Sequence, residues 1–231
     1  MKLVLKYGGT SISNTKDIQL VAKHVTELSK KHQIALVCSA TSGTTDDLIE
    51  ISESIKKENK SKAEQLASKI TNRHKQLAKQ TIKKSEIQKK LLIKLNDDFK
   101  ELVALIDGLV LLGEVTSRSM DYLISFGERF SGKLLAAAIN DLGKKSIPLT
   151  GKEVGIVTDS NFSESKPLMD TTRLRVSKSI DGLFSKKTIP VVGGFSGADQ
   201  HGHTTTFGRG GSDYSATIIG SCIKADEIWL M

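Results

Sequence analysis

Two apolar patterns alternate along the chain. Residues 2–6 form a short apolar run that ends at Gly8-Gly9, and residues 34–38 (IALVC), 146–149, 189–192 and 227–231 (EIWLM) are similar short runs. Continuous runs of this length suit strands buried on both faces. Between them the spacing turns helical. Ile18, Val21, Ala22, Val25 and Leu28 recur at three and four residues within 15–31, and a further helix starts near Asp46. Residues 120–140 read as helix with Gly127 and Gly132 as interruptions, and 171–184 and 212–223 read as two more, the last with small residues facing inward. Residues 108–112 are another short apolar run. Strand–helix alternation of this kind predicts an α/β fold with a mostly parallel sheet covered by helices. In such folds ligands bind outside the carboxyl ends of the strands, where the Gly-rich segments of this chain lie.

One stretch breaks the alternation. Residues 55–106 are rich in Lys, Glu, Gln, Leu and Ala, and contain neither Pro nor Gly. Leu66, Ile70, Arg73, Leu77 and Thr81 share one stripe; Leu91, Leu92, Leu95, Phe99, Leu102, Val103 and Ile106 make a stronger one. The spacing predicts a helical pair on the surface of the domain.

Charge sharpens this picture. The 231 residues carry 34 Lys and Arg against 26 Asp and Glu, a net of +8. Residues 55–100 alone hold 14 basic and 5 acidic residues, a net of +9, which leaves the remainder near neutrality. The excess therefore belongs to the helical insert. With no interleaved aromatics and no nucleic-acid-binding motif, it reads as a solvated face rather than a polyanion site. Two distant cysteines, Cys38 and Cys222, argue against a zinc site or a secreted disulfide framework and suit a reducing cytoplasm. No run approaches the length of a membrane span, and the first ten residues are too short in apolar character for a signal peptide.

Four loops carry candidate chemistry. Lys6-Tyr7-Gly8-Gly9-Thr10-Ser11 follows the first strand; its glycines let backbone amides approach phosphate, and Lys6 can reach a transferring phosphoryl group. A plain tight turn explains the same residues, and the lysine precedes the glycines, so this is no Walker A loop. Ser39 to Thr45 (SATSGTT) offers hydroxyls and amides to a small anion, or caps the helix that follows. Ser125-Phe126-Gly127-Glu128-Arg129 places an acid that can hold an ammonium group, or simply a solvated helix residue. Phe207-Gly208-Arg209-Gly210-Gly211-Ser212-Asp213 brings glycines, an arginine, a hydroxyl and an acid to a helix N-terminus, which suits phosphate and carboxylate; Asp213 can also be a first-turn acid. His201 and His203 form an HxH pair with no evident third metal ligand. His24, His32 and His74 read as helix-surface residues, and Trp229 as core.

Taken together, KYGGTS, SATSGTTDDL, SFGER, GGFSG and FGRGGSDYSAT, in that order across essentially the whole chain, resemble the aspartate kinase family. The resemblance implies the amino acid kinase fold, a three-layer αβα sandwich. It implies transfer of the ATP γ-phosphate, with Mg²⁺, to the side-chain carboxylate of L-aspartate, on the route to lysine, threonine and methionine. Lys6 then matches the lysine that neutralises the transferring phosphoryl, and Asp213 the acid that organises it. Arg209 matches the substrate-carboxylate arginine and Glu128 the ammonium-binding acid. Ser39, Thr45 and Ser212 line the aspartate site. Tyr7, Gly8, Gly9, Gly210 and Gly211 contact ATP phosphates. No protein-held metal is implied, nor a nucleic-acid or membrane partner; a cytoplasmic homodimer is. The family continues beyond the strand matching EIWLM into the nucleotide pocket and regulatory domains. The expectation is therefore a catalytic domain over 1–231, cut at its C-terminal end, with an insert at 55–106 and no regulatory domains. Two alternatives stay open: a related kinase acting on glutamate, carbamate or a nucleoside monophosphate, and a non-catalytic fragment.

Overall fold

The computed structural model describes residues 1–231. Seven strands and eight helices follow in chain order: β1 (Lys2–Tyr7), α1 (Thr15–Leu28), β2 (Gln33–Cys38), α2 (Thr44–Lys56), α3 (Lys60–Thr81), α4 (Ser85–Leu112), α5 (Ser117–Asp141), β3 (Ser146–Leu149), α6 (Gly151–Val154), α7 (Met169–Ser185), β4 (Ile189–Gly193), β5 (Ser196–Ala198), β6 (Thr204–Thr206), α8 (Gly211–Ile223) and β7 (Glu227–Leu230). Five strands form one sheet in the order β3-β4-β2-β1-β7, and every pairing in it is parallel. β5 and β6 form a separate antiparallel hairpin.

Strand parity builds the layers. Successive side chains leave a strand on opposite faces. Leu3, Leu5, Tyr7, Ile34, Leu36, Cys38, Ile189 and Val191 pack with α1 to α5 in one cluster of 39 buried residues. Val4, Ala35, Val37 and Val192 point the other way, into a smaller cluster with α7 and α8. Helices on both faces of a parallel sheet make the expected αβα sandwich.

The 55–106 segment does more than coat the surface. Most of both stripes is buried, and Phe99 packs at a tilt on Phe130 of α5 with ring centroids 5.0 Å apart. The lysines take the outer face. Within the second stripe Val103 is exposed and Leu109 is buried instead: spacing at 91, 95, 99, 102, 106 and 109 follows 3.6 residues per turn, whereas Val103 lies off that line. Residues 108–112 are the last turn of α4 rather than a separate element. His74 is a second correction. It is fully buried against Phe130 and Thr41, not on the surface. Nor do Gly127 and Gly132 interrupt α5, which is unbroken through both.

Candidate active site

Parity also aims Lys6. It shares its face with Val4, toward α8, and its Nζ lies 2.6 Å from Asp213 Oδ1 in the first turn of α8. The lysine side chain is mostly buried and the aspartate half-exposed. Tyr7 faces the opposite layer. Its hydroxyl sits 2.5 Å from His24 Nδ1, and burial pushes the phenol up to about 12. The ring therefore belongs to the core, and only the Tyr7 backbone stays at the strand end. Gly8 N–H donates to Met231 O (2.9 Å), tying the first loop to the end of β7.

The fourth loop closes as a turn, with Gly211 N–H donating to Gly208 O (3.1 Å). Gly210 caps α8, and Asp213 is an acid of its first turn. Arg209 is exposed at the tip of this loop and Ser212 is buried behind it. Beside them the end of β4 fits tightly between two helices. A Cβ on Gly193 would fall 3.0 Å from Glu128 O, and one on Gly194 would fall 3.0 Å from Ser212 Cα. The next residue, Phe195, has φ 69°, an uncommon conformation for a bulky side chain. It is held by Phe195 N–H donating to Ser215 Oγ (2.8 Å) and by Phe195 O accepting from Phe207 N–H (3.0 Å).

Glu128 is buried in mid-α5. Oε1 accepts the Ala40 N–H (3.1 Å), whereas Oε2 is buried without a partner. Burial pushes the carboxyl up to about 8. The second loop reaches Glu128 because residue 127 is glycine; a Cβ there would lie 2.7 Å from Ala40 Cβ. Ser39 is half-buried, its N–H donating to Tyr7 O (3.1 Å) and its carbonyl accepting Ser131 Oγ (2.7 Å). Thr45 is half-buried in the first turn of α2.

That second loop is clamped by the insert. His74 Nδ1 donates to Ile70 O (2.8 Å), so Nε2 is left to accept from Thr41 Oγ1 (3.1 Å). Thr44 Oγ1 donates in turn to Thr41 Oγ1 (2.7 Å) and accepts from Arg73 Nη2 (2.7 Å). Burial holds His74 down at about 4, which keeps the ring neutral. Arg129, beside Glu128, bonds Asp98 (2.8 Å) and Glu101 (2.6 Å) of α4 and lies over the Phe126 ring, so it fastens α5 to the insert.

A cavity of about 1150 Å³ opens between α4, α5, β3 and the β5–β6 hairpin. Of the predicted site residues only Glu128 lines it; Lys6, Arg209 and Asp213 do not. His203 lines it too, with Nδ1 3.1 Å from Asp199 Oδ2, while both His201 and His203 donate backbone N–H groups to Oδ1. Burial opposes ionisation of Asp199, but these hydrogen bonds hold it down at about 2. The HxH pair thus builds the hairpin turn, and no cluster of three metal-binding side chains exists in the chain.

Known proteins resemble the chain in sequence and in fold. The chain is 31% identical over 229 residues to aspartokinase 1, chloroplastic, of Arabidopsis thaliana and 32% identical over 227 residues to an aspartokinase of Helicobacter pylori, covering 97% of this chain in each case. It spans 39% and 41% of the length of those relatives. Its fold matches E. coli aspartokinase III, solved in complex with aspartate and ADP, at a TM-score of 0.85 and 21% identity, over 100% of this chain and 49% of that one. The model of the amino acid kinase family matches residues 1–231. By its fold, its strand-end loops and that match, the chain belongs to the amino acid kinase family.

Proposed function

We propose that this chain is the phosphoryl-transfer unit of an aspartate kinase. A side-chain carboxylate oxygen of L-aspartate attacks the γ-phosphorus of ATP, ADP leaves, and 4-phospho-L-aspartate forms. The observation that carries the reading is Glu128. A buried carboxyl with one oxygen capped by a backbone amide and the other free is a socket for a cation, and an α-ammonium group supplies one. The curated relatives, named aspartokinases, and the structural neighbour holding aspartate and ADP support the same substrates.

The roles proposed are those the family resemblance assigns. Glu128 holds the ammonium group, exposed Arg209 takes the α-carboxylate, and Ser39, Thr45 and Ser212 line the space between. Lys6 neutralises the transferring phosphoryl, and Asp213 holds Lys6 in place. The amides of Gly9 and Gly210 face the phosphates; Gly8 and Gly211 contribute turn shape, since their N–H groups are already bonded. The nucleophile is already an anion, so no strong general base is needed, and positioning and charge neutralisation dominate. Mg²⁺ is carried by the nucleotide phosphates in most phosphoryl-transfer sites, with one or two protein carboxylates. The half-exposed Asp213 fits that donor set, and the cation supplies further charge neutralisation. No helix is long and apolar enough to cross a membrane, which agrees with a cytoplasmic enzyme, acting as a homodimer at the head of lysine, threonine and methionine synthesis.

The test is trapping of the acyl phosphate by hydroxylamine. The full-length protein with L-aspartate and MgATP should give aspartyl hydroxamate. Lys6→Ala should lose roughly 10²–10³ in turnover while staying folded. Absence of hydroxamate from a folded wild-type enzyme rejects the reading.

A further inference from the structure

We infer that Asp121 is a positioning residue that fixes the distance between the ammonium-binding and carboxylate-binding groups of the amino acid site, and with it selectivity for substrate length. The inference rests on the aspartate kinase reading above. Asp121 lies on α5, seven residues before Glu128 and so on nearly the same helix face two turns away. It is fully buried. Its carboxylate faces three donors: Oδ2 accepts Thr206 N–H (2.8 Å) and Ser163 N–H (2.9 Å), and Oδ1 accepts Thr206 Oγ1 (2.7 Å). No cation pairs with it. A buried carboxylate held only by neutral donors is costly to keep, and it persists where its hydrogen bonds are all made.

What it holds is the root of the arginine loop. Thr206 is the last residue of β6, three before Arg209. Ser163, the other backbone partner, has φ 75°, and its carbonyl lies against Gly208, where a Cβ would come within 3.0 Å. One carboxylate on the ammonium-binding helix thus grips both the strand that leads into the loop and the segment on which the loop rests. Glu128 and Arg209 are otherwise on separate elements. With Asp121 in place they share a frame, and an amino acid bridging them must match the span.

The test uses the full-length enzyme and compares Asp121→Asn with Thr206→Val. Asparagine keeps the shape but replaces an ionisable acceptor of three hydrogen bonds by a neutral amide whose NH₂ must face either Thr206 Oγ1 or the backbone donors; valine removes only the Oγ1 contact. Asp121→Asn should raise KM for aspartate about tenfold and leave KM for ATP within about twofold, as expected for loss of orientation at one substrate. It should also cut the preference for aspartate over glutamate, measured as the ratio of kcat/KM values, by at least about fivefold. Thr206→Val should shift both in the same direction by about threefold. A folded Asp121→Asn enzyme with unchanged aspartate KM and unchanged selectivity overturns the inference, as does a parallel rise in both KM values. If Asp121→Asn does not fold, Thr206→Val decides alone, and unchanged selectivity in it overturns the inference. A folded wild-type enzyme inert toward aspartate would instead sink the functional reading from which this role follows.

Discussion

Glu128 makes aspartate binding pH-dependent in a way that can be worked out from its burial. Only the ionised carboxylate attracts an ammonium group. With the free enzyme's carboxyl at about 8, roughly a hundredth of molecules carry the anion at pH 6, a tenth at pH 7 and half at pH 8. Apparent KM for aspartate should therefore fall about ninefold from pH 6 to 7, fall about fivefold more by pH 8, and stop falling near pH 9, above which the substrate's own ammonium group loses its proton. The groups that face Glu128 are the Ala40 amide, the Gly193 backbone and Cys38, whose thiol burial pushes up to about 12, so none titrates in this window. Steady-state kinetics across the range, with KM for ATP as the control, reads the effect. Glu128→Gln should bind aspartate weakly at every pH with no such slope. A wild-type KM that moves less than about twofold between pH 6 and 8 refutes the reasoning.

The same proton acts on stability. The carboxyl titrates near the ordinary 4.5 when unfolded and at about 8 when folded. Between those values the folded state binds the proton more tightly, so stability falls as pH rises. The full shift corresponds to a ceiling of about 5 kcal/mol. Glu128→Gln avoids the charged form and should gain a few kcal/mol relative to wild type at pH 8 over pH 5, read as a rise in Tm of several degrees. Gly127→Ala should cost about 1–3 kcal/mol and raise KM for aspartate, because the new methyl overlaps Ala40; unchanged denaturation and kinetics would contradict that packing. His74→Leu removes the acceptor of the Thr41 hydroxyl, leaving it only Thr44, and should cost about 1–3 kcal/mol in denaturant unfolding, with a weaker aspartate site, whereas His74→Gln should recover part of the loss by accepting from Thr41.

Much of this was legible in the residues, and the reasons differ by element. Apolar runs marked β1, β2, β3, β4 and β7 because a strand buried on both faces has few polar positions. The motif KYGG assigns Tyr7, with Lys6, to the phosphates, whereas strand parity sends the Tyr7 ring into the opposite layer, against His24. The hairpin strands β5 and β6 were not readable. They are three residues long, mainly Ser and Thr, and their pairing is fixed by Asp199 and Asp121 from elsewhere in the fold. α6 is a single turn recognisable only through the Thr150–Glu153 capping box. His74 misled because a histidine among lysines looks solvated; its burial depends on a partner, Thr41, far away in sequence. Glu128 was visible as an acid in a glycine-marked motif, but its half-satisfied state was not, since the Ala40 amide that caps it belongs to another loop. The tertiary signal that best marks this region, positive φ at Phe195, leaves no trace in composition.

The contact of Gly193 and Gly194 with α5 and α8 has a consequence for redesign. There, backbone meets backbone and neighbouring side-chain stem. The width of the site on that side is therefore not adjustable by trading one side chain for another. Enlarging either glycine pushes a whole helix, and with it Glu128 or Ser212, while no smaller residue exists to widen the gap. Natural drift and laboratory selection alike should leave these two positions nearly frozen. Changes in substrate scope should instead accumulate at the exposed positions of the two neighbouring loops, Ser42 and Arg209, where side chains rather than main chain set the boundary.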